Sequence, residues 1–329
     1  MHHLDEFVPF EAFDQEIAKL AALLETLGVT IPDGADITTQ TYAAFAALYY
    51  SVFADERPSM TRSDELQKGA ALAGLGDLAS KINRAAQTNG FDQIRPHLAK
   101  MVEGSVLMNG QNKVTDDAGN KNSELYVGCL ALGAGCEIEL EDPIKSGGGT
   151  NPDVLLRYSV QDWSIAVKTS HSESPPQMFA AIRKAAQQIE RSGRPGIVFV
   201  NVKNILDRQA LIGQSPFSHP EAGTQAVAAQ IDRLIDNLRV SIVPEDWVEV
   251  FAGQLARPLV ALMGQATVSV RIFPTGSVFV PIKVMRVLPV PMIVDPANLT
   301  HLNAAAYNLL NRLNHELQRN PGSTAPIGN

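Results

Sequence analysis

Between residues 136 and 202 the apolar pattern switches from strand period to helix period and back, which restricts the chain to few architectures. CEIELEDP alternates Cys136, Ile138 and Leu140 with Glu137, Glu139 and Glu141, the pattern of a strand with one buried face. PDVLLRYS and WSIAVKTS follow as two apolar strands, with a turn expected at Gln161-Asp162. Pro175 and Pro176 then open PPQMFAAIRKAAQQIERSG, where Met178, Ile182, Ala185 and Ile189 recur at helical spacing. GIVFVNV is a short apolar run of the kind a strand covered on both faces requires. Ahead of all this, Ser123 reads as the cap of a short helix, SELYVGCLALGAG, stopping at Gly133 and Gly135. The order is helix, three strands, helix, strand. It predicts an α/β fold, a mixed sheet flanked by helices.

The flanks read differently. Residues 10 to about 105 are helical in pattern: EAFDQEIAKLAALLETLGV puts Ile17, Leu20, Leu23 and Leu24 on one face and ends at Gly28. Two further helices and a shorter fourth follow, the last with Pro96 in its first turn. This gives an all-helical region over 1–110, a polar linker at 111–122, and an α/β domain over 123–319 that ends in a helix. A disordered tail is expected at 320–329. The 329 residues are 45% apolar and 19% charged, enough for a sizeable buried core. No apolar run reaches the roughly 18 residues of a membrane span, and MHHLDEFVPFEAF lacks the basic-then-apolar layout of a secretory leader. A cytoplasmic protein with no membrane partner is expected. Cys129 and Cys136 lack metal-site spacing and read as buried thiols.

Candidate chemistry lies in NPDVLLRYSVQDWSIAVKTS, 151–170. In a strand, Ser164, Ala166, Lys168 and Ser170 share one face, and Asp153 opens the neighbouring strand behind Pro152. A hairpin of this length brings Asp153 towards Lys168. A carboxylate and an ammonium side by side at a sheet end can hold a divalent cation and a water poised to attack a phosphate. The net charge of −8 argues against a surface that coats nucleic acid. Residues 151–202 nevertheless carry six basic side chains against four acidic ones, a weak local reversal of sign.

This element order, with Glu124 in the first helix, Pro152-Asp153 opening the second strand and Ala166-Val167-Lys168 in the third, resembles the PD-(D/E)xK nuclease superfamily. That superfamily has the restriction-endonuclease-like fold, and the resemblance covers about residues 122–202. It implies Mg²⁺ bound by Asp153 and the Val167 carbonyl, with Glu124 assisting directly or through water and Lys168 positioning the attacking water. One position departs: Ala166 stands where the superfamily has an acid, and Glu190, Glu173, Glu124 and Glu139 are the carboxylates available to compensate. The implied function is metal-dependent phosphodiester hydrolysis in nucleic acid, DNA in preference to RNA. The alternative is an inactive module of the same fold that binds nucleic acid or protein; a third reading is a helical scaffold unrelated to nucleases. Phosphate contacts are expected from Arg183, Lys184, Arg191 and Arg194, beside the strand at 163–170 and the helix at 176–192. Gln187 and Gln188 resemble a glutamine that some members place near the site. The N-terminal helices are a candidate surface for a homo-oligomer or a protein partner. His171, His219 and the GGGT run read as loop residues without a role.

Overall fold

A computed structural model describes residues 10–52, 61–110, 117–143, 151–212, 216–272, 276–290 and 301–321. Its centre is one six-stranded sheet in sequential order: β1 (Glu137–Leu140), β2 (Val154–Tyr158), β3 (Gln161–Thr169), β4 (Gly196–Asn201), β5 (Ala256–Ile272) and β6 (Gly276–Pro289). The first three strands are antiparallel neighbours, β3–β4 and β4–β5 are parallel, and β5–β6 is a long antiparallel hairpin. Parallel neighbours need a crossover. Helix α6 (Pro175–Ser192) supplies it between β3 and β4; α7 (Arg208–Ile212), α8 (Pro220–Ser241) and α9 (Pro244–Val250) lie between β4 and β5. All six residues of β4 are buried, as its unbroken apolar run requires of a central strand.

The period of two along each strand sorts side chains into two cores. Ile165, Val167, Ile197 and Phe199 face one side; Ala166, Val198 and Val200 face the other, against α6 and α8. The first core is larger because the N-terminal helices belong to it. Helices α1 (Phe10–Thr26), α2 (Asp36–Val52), α3 (Arg62–Ala85) and α4 (Arg95–Met101) pack with α5 (Asp117–Gly133) and α10 (His301–Gln318) into a single apolar cluster against the sheet. Gly28, at φ 67°, ends α1 as a left-handed glycine should. Helix α3 is the pivot, buried throughout residues 71–83. A side chain at Gly76 would run into Phe13 of α1, so the two helices meet only because Gly76 has none. Tyr42 and Phe45 of α2 stay exposed.

A polar seam runs through that first core. Lys283 on β6 donates to Asp77 of α3 at 2.8 Å, and the Tyr126 hydroxyl of α5 donates to the same carboxylate at 2.6 Å. Lys81 of α3 donates to the carbonyls of Glu316 and Arg319, and Lys283 reaches the Arg319 carbonyl at 2.9 Å. Two buried ammoniums thus serve carbonyls at the C-terminal end of α10, where a helix leaves acceptors without partners. Burial works against the Asp77 carboxylate, yet Lys283 and Lys81 hold its pKa below the ordinary value. Burial, reinforced by Lys283, pushes the Lys81 ammonium down to about 7.

Three local expectations change. The β2–β3 turn lies at Ser159-Val160, with Ser159 at φ 59°. Positive φ is what two-residue hairpin turns require. Gln161 and Asp162 sit in β3 instead, because Asp162 pairs across the ladder with Arg157, at 2.8 Å from its Nε. Helix α5 begins at Asp117, so Ser123 is a buried interior residue and no cap, and 117–122 is helix rather than linker. Residues 111–116, the GGGT run and 322–329 of the tail lie outside the described residues.

Candidate functional site

Asp153 immediately precedes β2 and Lys168 lies near the end of β3. The Val154–Ile165 pairing brings the start of one strand beside the end of the other. Oδ2 of Asp153 accepts the Val167 backbone N–H at 2.6 Å and the Lys168 ammonium at 3.2 Å; the same ammonium donates to the Val167 carbonyl at 3.0 Å. Asp153 is 4% exposed, and the Lys168 side chain is 23% exposed. Burial is the largest influence on Asp153 and raises its carboxyl to about 6. Lys168, the Val167 N–H and Lys121 oppose the rise, and Glu124 adds to it. The carboxyl is therefore short of positive charge even with an ammonium on it.

Glu124 projects from α5 and is buried. Its Oε2 accepts from Lys121 one turn earlier at 2.9 Å and lies 3.5 Å from Nε2 of His97 on α4. Burial disfavours the Lys121 ammonium, but Glu124, and less strongly Asp153, outweigh it and raise its pKa. Three carboxylates (Asp153, Glu124 and, more weakly, Glu141) and two ammoniums thus share one electrostatic neighbourhood. Ser123 lies 3.1 Å from the Thr169 hydroxyl and accepts the Asn201 amide at 2.9 Å, which ties α5 to the ends of β3 and β4. Sequence reasoning passed over Lys121, His97, Thr169 and Asn201. Only Lys121 carried a signal, its spacing of three from Glu124 on a helix; the others depend on contacts far apart in sequence.

The remaining candidates separate. Ala166 is fully buried on the α6 side and offers no oxygen. Glu190 does not fill the gap: its Oε1 accepts the backbone N–H groups of Leu255 at 3.0 Å and Ala256 at 2.8 Å. Ala256 pairs with Gly196 and Gly196 with Ser164, so Glu190 serves the opposite end of the sheet from Lys168. Gln188 is buried and donates to the Asn151 carbonyl at 2.8 Å, bracing the chain just before Pro152, while Gln187 is exposed. His171 lies 3.1 Å from Asn204, and His219 caps α8. Cys129 and Cys136 are free and buried; burial raises both thiols, Cys136 to about 12.

The basic residues divide likewise. Arg191 and Arg194 line an open cleft of about 560 Å³ together with Pro152 and the acids Glu139, Glu141 and Asp142. Lys184, exposed, precedes Arg191 by two turns and shares its face of α6. Arg183 turns elsewhere, over the Phe179 ring at 5.2 Å and 3.9 Å from Asp246 of α9. It is not part of the cleft lining.

Among the described residues no group of three or more His, Cys, Asp or Glu side chains could hold a metal ion. Oxygen donors near Asp153 among the described residues include its own carboxylate, the Val167 carbonyl and, one electrostatic step away, Glu124. Such a set suits a hard cation of the Mg²⁺ type, which is commonly held by one or two carboxylates with waters and substrate phosphates completing its shell. The Lys168 ammonium, bridging the carboxylate and the carbonyl, already shows this corner accommodating a positive charge. No family model, curated protein or solved structure matches the chain. No helix among the described residues is long and apolar enough to cross a membrane.

Proposed function

We propose that the chain has a restriction-endonuclease-like core and acts on nucleic acid, DNA in preference to RNA, by metal-dependent phosphodiester hydrolysis. The observation that carries this reading is Oδ2 of Asp153, which takes the Val167 N–H and the Lys168 ammonium at once. An antiparallel β1–β2–β3 followed by parallel β4 around that corner supports it. When bound, Mg²⁺ at Asp153, Glu124 and the Val167 carbonyl would supply positive charge to a phosphate and a more acidic water. The chain's own groups do the rest. Asp153, titrating near 6, is ionised at neutral pH and available as a ligand. Lys168, within reach of solvent, orients the attacking water or donates to the phosphate once it leaves Asp153. Arg191, Arg194 and Lys184 would contact flanking phosphates along the cleft.

A second reading is favoured by the burial of Ala166 and by the Lys121 and Lys168 ammoniums already bonded to Glu124 and Asp153. In it the fold persists without metal and binds nucleic acid or protein. One experiment separates the readings: calorimetric titration with Mg²⁺ and Mn²⁺ of the wild type and Asp153→Ala, alongside cleavage of single- and double-stranded DNA and RNA by the wild type and Lys168→Ala. Metal uptake lost with Asp153 and cleavage lost with Lys168 uphold the nuclease. Salt-sensitive nucleic-acid binding without metal uptake upholds the second reading. Protein with neither metal uptake nor nucleic-acid affinity refutes the nuclease and the nucleic-acid module together.

A further inference from the structure

His97 is 1% exposed, and neither ring nitrogen has a hydrogen-bond partner among the described residues. Burying both nitrogens of an imidazole unpaired is costly, and such an orphan in a folded protein asks for an explanation. Packing alone does not provide one, because a leucine of similar reach would fill the site without stranded polar atoms. What His97 faces is Glu124, 3.5 Å from Nε2 to Oε2, slightly beyond hydrogen-bond range. The oxygen it faces already receives the Lys121 ammonium at 2.9 Å.

We infer that His97 is a positioning residue for Glu124, which takes over its carboxylate from Lys121 when a hard divalent cation enters the site. The inference rests on the metal reading above. A carboxylate that turns to a cation cannot easily keep an ammonium on the same oxygen, because the two positive charges repel. An uncharged imidazole N–H can hold that oxygen at no such cost, and Nε2 already lies 3.5 Å from it. Partners of this outer kind orient a ligating carboxylate, and their loss typically lowers metal affinity about 10–100-fold. The same chemistry gives the two unpaired nitrogens of a buried imidazole a use, since one of them faces the oxygen of Glu124.

The test uses the full chain with His97→Leu and His97→Gln, the glutamine amide reaching about as far as Nε2. Mn²⁺ and Mg²⁺ affinities are measured by calorimetry, and thermal unfolding is followed in EDTA. His97→Leu is expected to weaken Mn²⁺ binding about 10–100-fold while leaving the metal-free melting temperature unchanged or higher. His97→Gln is expected to return the affinity close to that of the wild type. If His97→Leu does not fold, His97→Asn takes its place, since its amide reaches only the Nδ1 position and must show the same loss. Wild-type affinity in the folded Leu or Asn variant overturns the inference and leaves the metal reading standing. A glutamine variant as weak as the leucine one also overturns it. A wild-type protein that takes up neither ion overturns both.

Discussion

Asp153→Asn should make the protein more stable at neutral pH, and the gain should disappear in acid. The unfolded carboxyl titrates at its ordinary 3.8 and the folded one at about 6, chiefly because Asp153 is buried. Between those values the folded state binds more protons than the unfolded state, so stability falls as pH rises through that window and the loss is complete above about 6. At 1.36 kcal/mol per pH unit, the difference amounts to about 3 kcal/mol. Asparagine has no proton to lose and resembles the protonated acid, so it escapes the loss. For a chain of this size that corresponds to a melting temperature higher by roughly 5 °C. Urea or thermal unfolding of both proteins in EDTA, at half-unit steps from pH 4 to 8, reads the effect directly. Their stability difference should be near zero at pH 4, open between 4 and 6, and stay constant above that. A pH-independent difference, or a variant less stable at pH 7, refutes the argument that Asp153 is held short of positive charge. Adding Mg²⁺ extends the test, since a ligand at 100 times its dissociation constant stabilises by about 2.7 kcal/mol. The ion should therefore close most of the gap by stabilising the wild type alone.

Other substitutions probe the surroundings. Ala166→Glu places a carboxylate in a fully buried position and should cost about 3 kcal/mol or more in EDTA; recovery on adding Mn²⁺ marks position 166 as part of a metal site, and no recovery removes it. Glu190→Ala leaves the Leu255 and Ala256 N–H groups without their acceptor, so stability should drop by roughly 2 kcal/mol with metal affinity unchanged in calorimetry. Lys81→Met should alter the pH dependence of stability. Because the folded Lys81 titrates at about 7 against 10.5 unfolded, it makes the wild type gain stability from pH 7 to 10, a rise that denaturation curves of the variant should lack.

The parts legible in the sequence are those governed by local period. The stripe of Met178, Ile182, Ala185 and Ile189 is the buried face of α6, and the GIVFVN run is the fully buried β4. Asp153 and Lys168 could be placed on neighbouring strands because a hairpin fixes its own register. Detail went astray where a long-range or cross-strand contact outranked a local cue. Asp162 resembled a turn residue until Arg157 claimed it, and Ser123 resembled a cap until Thr169 and Asn201 reached it from the sheet. Glu190 illustrates the limit best. Nothing in its neighbourhood of α6 announces that two N–H groups more than sixty residues later need its oxygen. Lys121 and His97 were invisible for the related reason that burial of a polar side chain depends on what the whole chain packs around it.

The hold of Lys81 and Lys283 on the end of α10 also sets a schedule for making the protein. Lys81 leaves the ribosome 235 residues before Glu316, whose carbonyl it will serve. At about 5–20 residues per second, that is an interval of roughly ten seconds to most of a minute. Throughout it the ammonium has no helix end to go to, although α1, α2, α5 and the β5–β6 hairpin can already cover α3. What waits for the last turn of α10 is the Lys81 side chain, whose acceptors lie at that end. Stop codons shortly before residue 316 should therefore yield chains that hold every strand of the sheet yet leave two buried ammoniums without the carbonyls of Glu316 and Arg319.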